Sequence, residues 1–255
     1  MYILKNLNFY RKDIYSQNGE DGIIEELLKR LNMQENLQVV EFGACDGKYL
    51  SNTFNLVEKK KVDIAVYIES DGKLFKDLEK NAKVYKSILP INTHVEIKDT
   101  NKKNLDEILK KTKIKKDFDI LSIDIDSYDL DVFLSIKNYN PKILIIEANR
   151  MAVGTLHKHD KTIFGNSFSQ IIKDIKPKDY IPIVFTGNII FVKSEFIKNL
   201  DISKKIIKNP NTLYDYQNFF YKYKKMNLFA KYLILFIPLK LLKMLNIFKK
   251  LFSNK

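Results

Sequence analysis

The sequence predicts an α/β fold in which helices cover a mostly parallel β-sheet. Two observations predict it. Short apolar runs alternate with stretches of helical periodicity along residues 18–193, and one early apolar run enters a glycine turn. Alternating strands and helices form right-handed βαβ units, whose strands lie parallel in one sheet with helices on both faces.

The first element is a helix predicted at residues 18–32, where apolar residues recur at helical spacing with charges between them. Strands are predicted next at 37–42, 64–69, 91–97, 118–123, 142–147, 181–185 and 188–193. Helices are predicted between them at about 52–61, 72–82, 102–111, 129–137 and 166–175.

The last two strands are joined by Thr186-Gly187, which indicates a hairpin. We therefore expect an antiparallel pair at the end of a parallel sheet. This is the seven-stranded, Rossmann-like arrangement of class I methyltransferases.

The glycine turn lies in the segment from Val39 to Gly47, and Glu69 closes the next apolar run. Glycine lets the backbone turn tightly and approach a ligand closely. An acidic residue at the end of the following strand typically accepts hydrogen bonds from ribose hydroxyls. The pair predicts a nucleoside-binding site.

The turn does not match the phosphate fingerprint GxGxxG, because Gly43 and Gly47 bracket Ala44, Cys45 and Asp46. A carboxylate at Asp46 would also repel a pyrophosphate. A cofactor without phosphate fits better, and the sequence predicts S-adenosylmethionine. Cys45 is the only cysteine of the chain, and its expected role is packing in the turn.

Acidic and amide side chains follow two central strands. Asp124 ends one strand, and Glu147 and Asn149 follow the next. At the carboxyl edge of a parallel sheet these side chains point into the ligand crevice. Their oxygens suit Mg²⁺ or Mn²⁺, so a metal site at Asp124, Glu147 and Asn149 is one hypothesis. Without a metal, the same groups would orient sugar hydroxyls.

Two histidines, His157 and His159, follow in a loop just past this edge. Either one is a candidate base for taking a proton from an acceptor hydroxyl, as is Asp124. Histidines without a catalytic role are also common in surface loops.

The net charge of +13 is concentrated near the end of the chain. Residues 198–255 hold 13 lysines but only two acidic residues. Arginine, the usual reader of bases, occurs only at Arg11, Arg30 and Arg150. We therefore expect no sequence-specific binding of nucleic acid.

We predict a catalytic domain at residues 1–200 and a basic amphipathic helical tail at 201–255. Lysines recur at helical spacing opposite apolar residues within 228–255, which suits an anionic membrane surface. Docking of this helix on the domain or on a second copy in a homo-oligomer is the alternative. No signal peptide is recognised at the start, so we expect a cytoplasmic protein, peripheral on the inner face of the cell membrane if the tail binds there.

Several ordered motifs resemble the FkbM-like family of S-adenosylmethionine-dependent methyltransferases, in a branch common in bacterial polysaccharide gene clusters. The resemblance covers about residues 14–195. It is carried by the segments 15–21, 41–47, 51–53, 68–69, 121–126, 146–149 and 164–167.

This resemblance implies O-methyl transfer to a hydroxyl of a sugar or a related polyketide. It implies cofactor contacts from Glu41, Gly43, Ala44, Asp46, Gly47, Glu69, Ser70, Asp126, Ser16 and Gln17. A capping role for Ser16 and Asp21 explains those two residues nearly as well. Relatives often have Asp-Gly where this chain has Asp126-Ser127, and many class I methyltransferases have glycine where this chain has Cys45.

Two other functions remain open from the sequence. Asp124-Ile125-Asp126 matches the DxD motif with which glycosyltransferases bind a metal and a nucleotide-sugar diphosphate. The second is that of a membrane-associated scaffold without catalytic activity, in which the tail carries the function.

Overall fold

A computed structural model describes residues 6–97, 103–149 and 151–214. Seven strands form one sheet: β1 (Leu37–Phe42), β2 (Val62–Glu69), β3 (Ile88–Asn92), β4 (Ile120–Ile123), β5 (Ile143–Glu147), β6 (Tyr180–Phe185) and β7 (Asn188–Lys193). The helices are α1 (Glu20–Arg30), α2 (Phe54–Glu58), α3 (Gly72–Val84), α4 (Leu105–Leu109), α5 (Asp129–Ser135), α6 (Phe168–Ile175) and α7 (Lys204–Lys208).

The strand order is β3-β2-β1-β4-β5-β7-β6. Strands β1 to β5 pair in parallel, whereas β7 runs antiparallel to both β5 and β6. The predicted α/β fold, with its Rossmann-like seven-stranded sheet and its terminal antiparallel hairpin, is therefore confirmed.

The core lies on both faces of the sheet, because successive side chains of a strand point to opposite faces. In β1, Val39 packs in one apolar cluster with α1 and α2, while Val40 packs in the other with α4, α5 and α6. Ile206 and Leu213 are also buried in the second cluster, so the described part of the predicted tail packs against the sheet domain. The rest of the tail, residues 215–255, lies outside the described residues.

One predicted strand is misplaced. The sequence predicts 91–97, but β3 runs from Ile88 to Asn92. This strand is at the sheet edge, where Pro90 is tolerated and only one residue of the strand is fully buried, so its sequence lacks the apolar pattern of the inner strands. Val95 is buried in the core without belonging to a strand.

The other elements lie within a few residues of their predicted bounds. None of the helices in the described ranges has the length and hydropathy needed to cross a membrane.

Candidate active site

The candidate site lies where β1, β2, β4 and β5 end. Because β7 is antiparallel, its first residue reaches the same edge of the sheet. Asn188 at the start of β7 pairs in register with Glu147 at the end of β5. The inner strands thus bring their terminal polar residues to one rim, as the rule for parallel sheets predicts.

The glycine turn is fixed to the neighbouring strand by backbone hydrogen bonds. The N–H groups of Gly43 and Ala44 both donate to the carbonyl of Ile68 at 3.1 Å, and Gly47 donates to Ala44 at 2.7 Å. Gly43 has φ +81° and packs against the backbone of Asp124. The turn therefore lies directly between the ends of β2 and β4, where a nucleoside cofactor binds in such sheets.

Cys45 adopts φ +53°, a left-handed conformation that glycine adopts without strain. This explains the glycine found at the corresponding position in many class I methyltransferases. Burial raises the pKa of the Cys45 thiol. A protonated thiol agrees with a packing role.

Glu69 is oriented by the turn itself. Its Oε2 accepts the N–H of Cys45 at 2.8 Å, and its Oε1 accepts the N–H of Asp71 at 2.7 Å. Each carboxylate oxygen has a second lone pair, so the group is positioned to accept two ribose hydroxyls as well. Ser70 follows with an exposed side chain. Asp46 caps the other end of the turn by accepting the N–H groups of Lys48 and Tyr49.

Glu41 is held by the loop that follows the glycine turn, and its direct contact with the cofactor stays a prediction. Its carboxylate is buried and accepts hydrogen bonds from Ser51 Oγ, the Asn52 N–H and both donors of Thr53. Burial raises the pKa of Glu41. Glu41 therefore holds the 51–53 loop against the end of β1.

Ser16 is engaged by Asp21. Its Oγ donates to Asp21 Oδ2 at 2.7 Å and accepts the Asp21 N–H at 3.1 Å. The N-cap position of α1 is Gly19, so these bonds hold the 14–16 loop against the first turn of the helix and differ from the expected capping role. Gln17, its neighbour, is exposed and lines the cavity described next.

A cavity of about 260 Å³ opens at the rim, beside the glycine turn. Small-molecule sites are about 300 Å³ or larger, so this volume suits one compact group of a ligand. Phe164, Gly165, Gly187 and Ala148 contribute to the wall. The polar residues that line it are Gln17, Asn18, Asp124, Asp126, Glu147, Asn149 and Asn188.

Asp124 is the most perturbed acid of this wall. Its pKa is raised to about 8, first because the carboxyl group is largely buried and then because Glu147, Asp129 and Asp126 are close. In the described part of the chain, no residue donates a hydrogen bond to this carboxylate. An acid whose pKa is close to neutral pH, placed in a cleft, is suited to accept a proton from a substrate.

Asp126, two residues further, is exposed and adopts φ +56°. At the position where relatives often have Asp-Gly, the left-handed conformation is adopted by the aspartate and not by Ser127. Both acids of the triplet face the cavity.

A third carboxylate joins Asp124 and Glu147. Oxygen atoms of Asp124, Asp129 and Glu147 lie within 4.8 Å of one another. Asp129 also accepts the N–H groups of Ile125 and Ser127, and burial raises its pKa to about 6. All three carboxylates supply hard oxygen ligands of the kind that Mg²⁺ or Mn²⁺ binds.

The predicted third ligand, Asn149, lies at the same rim. Its Nδ2 donates to the carbonyl of Phe164 at 2.6 Å, which leaves its Oδ1 as the atom that a metal would use. It lines the cavity and holds the Phe164 loop in place. A third carboxylate is available from Asp129, in the first turn of α5.

Neither predicted histidine is among the residues that line the cavity. His159 Nδ1 accepts the Gly165 N–H at 3.0 Å, so the neutral ring carries its proton on Nε2 and has no nitrogen left to act as a base. His157 Nε2 lies 3.2 Å from the carbonyl of Ile163, to which it donates. The geometry favours Asp124 over both histidines as the proton acceptor.

Sequence reasoning missed Asn18 and Asn188. Asn188 lies at the start of a strand, where a parallel sheet has no functional residues. The hairpin at Thr186-Gly187 was the available signal, because it reverses the last strand and brings its first residue to the functional rim.

The model of the Methyltransferase FkbM domain family matches residues 28–172, more than half of the chain. No curated protein matches the sequence of this chain significantly.

Among solved structures, M. capricolum TrmK in complex with S-adenosyl-homocysteine is 15% identical, with a TM-score of 0.43 over 74% of this chain and 79% of that chain. An S-adenosylmethionine-dependent methyltransferase from Clostridium acetobutylicum is 12% identical, with a TM-score of 0.43 over 71% and 93%. Precorrin-6y C5,15-methyltransferase from Geobacter metallireducens is 10% identical, with a TM-score of 0.44 over 71% and 90%.

These structural similarities are too distant to assign a substrate, and the family match carries the assignment. It agrees with the glycine turn, the oriented Glu69 and the strand order, and it favours methyl transfer over the glycosyltransferase hypothesis. The chain belongs to the FkbM methyltransferase family and is an S-adenosylmethionine-dependent methyltransferase.

Proposed function

We propose that this methyltransferase transfers the methyl group to a hydroxyl oxygen of a sugar, in the biosynthesis of a bacterial surface polysaccharide or glycoconjugate. The observation that carries the proposal is the polar cavity beside the cofactor turn, in which four amide side chains and three carboxylates converge. A group with several hydroxyls satisfies such a wall, since amides donate to and accept from hydroxyls, whereas carboxylates accept from them.

The position of Asp124 supports oxygen as the methylated atom. Its backbone touches the turn at Gly43, and its carboxyl group lines the cavity, so it lies between cofactor and acceptor. A hydroxyl is a poor nucleophile until it loses its proton, and a positioned base contributes about 10²- to 10⁴-fold to such a step.

S-adenosylmethionine, when bound, supplies a methyl group that is already activated by the sulfonium. The chain then has to align the acceptor oxygen with that methyl group and take its proton. Glu69 would hold the ribose end of the cofactor, and the cavity amides would orient the acceptor. Asp124 would accept the hydroxyl proton as the carbon–oxygen bond forms and the carbon–sulfur bond breaks, which releases S-adenosylhomocysteine. A protonated Asp124 cannot do this, so turnover should rise with pH towards and through about 8.

The test uses the purified full chain, S-adenosylmethionine and a panel of methyl glycosides of common neutral sugars. We expect formation of S-adenosylhomocysteine together with an O-methylated glycoside, identified by mass and by its methoxyl NMR signal. Absence of methyl transfer to every glycoside of the panel would overturn the proposal.

Asp124→Asn is the variant that tests the proton acceptor. We expect it to lower kcat at least about 100-fold while the Kd for S-adenosylmethionine stays within about threefold of wild type. Asp77→Asn, an exposed acid on α3 that pairs with Lys80, is the matched control and should keep full activity.

A divalent cation fits the oxygen donors of Asp124, Asp129 and Glu147. Bound there, it would lower the pKa of an acceptor hydroxyl. The requirement for Mg²⁺ or Mn²⁺ remains a prediction, as do the membrane surface for 228–255, a homo-oligomer and a cytoplasmic location.

A further inference from the structure

An aromatic group stands at the mouth of the polar cavity. Tyr128 precedes α5, and His159 and Phe164 belong to the loop between β5 and α6. The His159 ring contacts Tyr128 at a centroid distance of 4.3 Å and Phe164 at 5.5 Å. We call these three residues the aromatic rim.

The aromatic rim is exposed in spite of its size. Phe164 is 66% exposed and Tyr128 is 46% exposed. A single exposed aromatic ring needs no explanation, but rings joined by contacts and adjacent to a cavity mark a binding surface.

The rim is also held rigidly. Asn149 Nδ2 donates to the Phe164 carbonyl at 2.6 Å, and the Gly165 N–H donates to His159 Nδ1 at 3.0 Å. Asn166 Nδ2 donates to the carbonyl of Ser127 at 3.3 Å, which connects the loop to the residue before Tyr128. A side chain whose loop is fixed from both sides loses little entropy when a ligand packs on it.

Inside the cavity, Asn188 provides a second, independent sign of a ligand. It is only 5% exposed, and its Nδ2 donates to Glu20. Its Oδ1 is buried without a hydrogen-bond partner in the described part of the chain. A buried acceptor without a donor is costly, and a ligand hydroxyl entering this cavity would supply the missing donor.

The charge of the wall narrows the ligand class. Asp124, Asp126 and Glu147 line the cavity, and the described lining residues include no lysine or arginine. The carboxylates of Asp126 and Glu147, together with Asp124 once it has lost its proton, disfavour a phosphate or a uronic acid, because like charges repel most strongly where burial has already reduced solvation.

We infer that the acceptor is an uncharged pyranose whose C–H face stacks on the aromatic rim while its hydroxyls enter the cavity towards Asn188 and Asp124. The inference rests on the proposed sugar methylation and adds the binding mode and the charge of the sugar. The C–H groups on one face of a pyranose are apolar, whereas its edge carries hydroxyls. An aromatic rim next to a polar cavity matches both surfaces of the ring.

The experiment has two readouts. Saturation-transfer NMR of neutral methyl glycosides, with S-adenosylhomocysteine present, measures binding, and initial-rate kinetics measure transfer. Phe164→Leu and Tyr128→Leu keep apolar bulk but remove the rings. We expect each to weaken glycoside binding and raise KM at least about tenfold, with the Kd of the cofactor unchanged.

Leu156→Ala is the matched control, because Leu156 is an exposed apolar residue of the same loop that does not line the cavity. It should leave KM unchanged. Unaltered glycoside binding in both ring variants, an equal effect of Leu156→Ala, or a methyl glucuronide that binds better than methyl glucoside would overturn the inference.

Failure of the proposed function gives a different pattern. Glycoside binding that is lost in Phe164→Leu, without methyl transfer in the wild type, would support the rim and refute sugar methylation. Transfer to a glycoside with unchanged KM in both ring variants would support the function and refute the rim. Absence of any glycoside binding to the wild type would overturn the inference.

Discussion

The carbonyl oxygen of Asp124 lies 1.9 Å from the position that a Cβ on Gly43 would occupy. Real Cβ atoms do not approach oxygen so closely, so the turn after β1 contacts β4 only because residue 43 has no side chain. This contact brings the cofactor turn against the residue whose carboxyl group lines the acceptor cavity. The geometry of methyl transfer depends on it.

Gly43→Ala should therefore disrupt the site. Its φ of +81° strains any other residue, and the added methyl group would push the turn away from Asp124. We expect a loss of stability of about 3 kcal/mol and loss of measurable cofactor binding. Urea denaturation measures the stability, and calorimetric titration with S-adenosylmethionine measures the binding.

Gly154→Ala separates strain from steric clash. Gly154 also has a positive φ, +91°, but nothing lies within 4 Å of its Cβ position. We expect a cost of about 1 kcal/mol and unchanged cofactor affinity. Equal costs for the two variants, or cofactor binding retained in Gly43→Ala, would show that the close approach to Asp124 is unimportant.

Glu69→Gln tests the ribose contact with little change in shape. The amide retains one oxygen but presents an NH₂ group to one of the two backbone N–H donors, from Cys45 and Asp71, that orient Glu69. Hydrogen bonds to a charged acceptor contribute about 1.5–3 kcal/mol each, so the Kd for S-adenosylmethionine should rise about ten- to 100-fold.

Adenosine distinguishes the ribose contact from a general loss of structure. If Glu69 binds ribose hydroxyls, Glu69→Gln should weaken adenosine and 2′-deoxyadenosine unequally, with the larger loss for adenosine. Asp77→Asn removes an exposed carboxylate of α3 and should change neither Kd. Wild-type affinity in Glu69→Gln would refute the assignment.

The raised pKa of Asp124 predicts a pH-dependent cost of folding. The pKa of the carboxyl group is near its ordinary value of 3.8 in the unfolded chain and about 8 in the folded protein. Between these values the folded state holds more protons than the unfolded state, so stability falls as pH rises, by up to about 1.4 kcal/mol per pH unit.

Asp124→Asn removes the titrating carboxyl group, so the variant should gain stability relative to wild type as the pH is raised from about 5 to about 8. Urea denaturation of both proteins at three pH values in this range gives the difference, which cancels the other titrating groups. Asp77→Asn, with its exposed carboxylate, serves as the control. A difference between Asp124→Asn and wild type that does not change with pH would contradict a buried, protonated Asp124.

The parts predicted from sequence are those fixed by local pattern. The apolar runs located the inner strands, and their order of occurrence placed Glu69, Asp124 and Glu147 at strand ends, hence at one rim. The direction of Glu41 was not predictable, because β1 alternates its side chains between faces and the Ser51 loop that receives Glu41 folds back only in three dimensions.

The cavity also combines segments that are distant in sequence. Gln17 precedes α1, Asp124 ends β4 and Asn188 begins β7. Each lies next to an element that was predicted, but their proximity follows from strand order and direction. The ring contacts of His159 depend likewise on how the loop between β5 and α6 folds against Tyr128.

The acidic cluster predicts metal binding that depends on pH. A divalent cation at Asp124 and Glu147 must displace the proton that Asp124 holds below about pH 8. Calorimetric titration with Mn²⁺ should therefore show affinity rising about tenfold per pH unit from pH 6 to 8, with proton release.

Two variants decide which third residue binds the cation. Asp129→Asn should abolish Mn²⁺ binding if the oxygen cluster is the site, whereas Asn149→Ala should abolish it if the ligands first predicted from sequence are correct. No heat with Mn²⁺ or Mg²⁺ at about pH 8 would remove the metal and leave the carboxylates as hydrogen-bond acceptors for the acceptor sugar.

The basic tail predicts attachment to an anionic surface. Each lysine near such a surface contributes about 1 kcal/mol, so replacing four should weaken binding at least about tenfold even if half of that contribution is screened. Flotation of the full chain with vesicles containing phosphatidylglycerol, at low and high salt, measures it. The four replacements, each by glutamine, are at Lys240, Lys243, Lys249 and Lys250.

A second four-glutamine variant, on exposed positions of α3, has the same net charge and controls for nonspecific attraction. Its replacements are at Lys73, Lys76, Lys80 and Lys83. Because attraction to a charged surface falls off within a Debye length, only lysines that lie at the membrane contribute fully. Vesicle binding that falls equally in both variants would mean that net charge alone causes it, and binding unchanged in the tail variant would refute the amphipathic-helix hypothesis and favour docking of the tail on the domain or on a second copy.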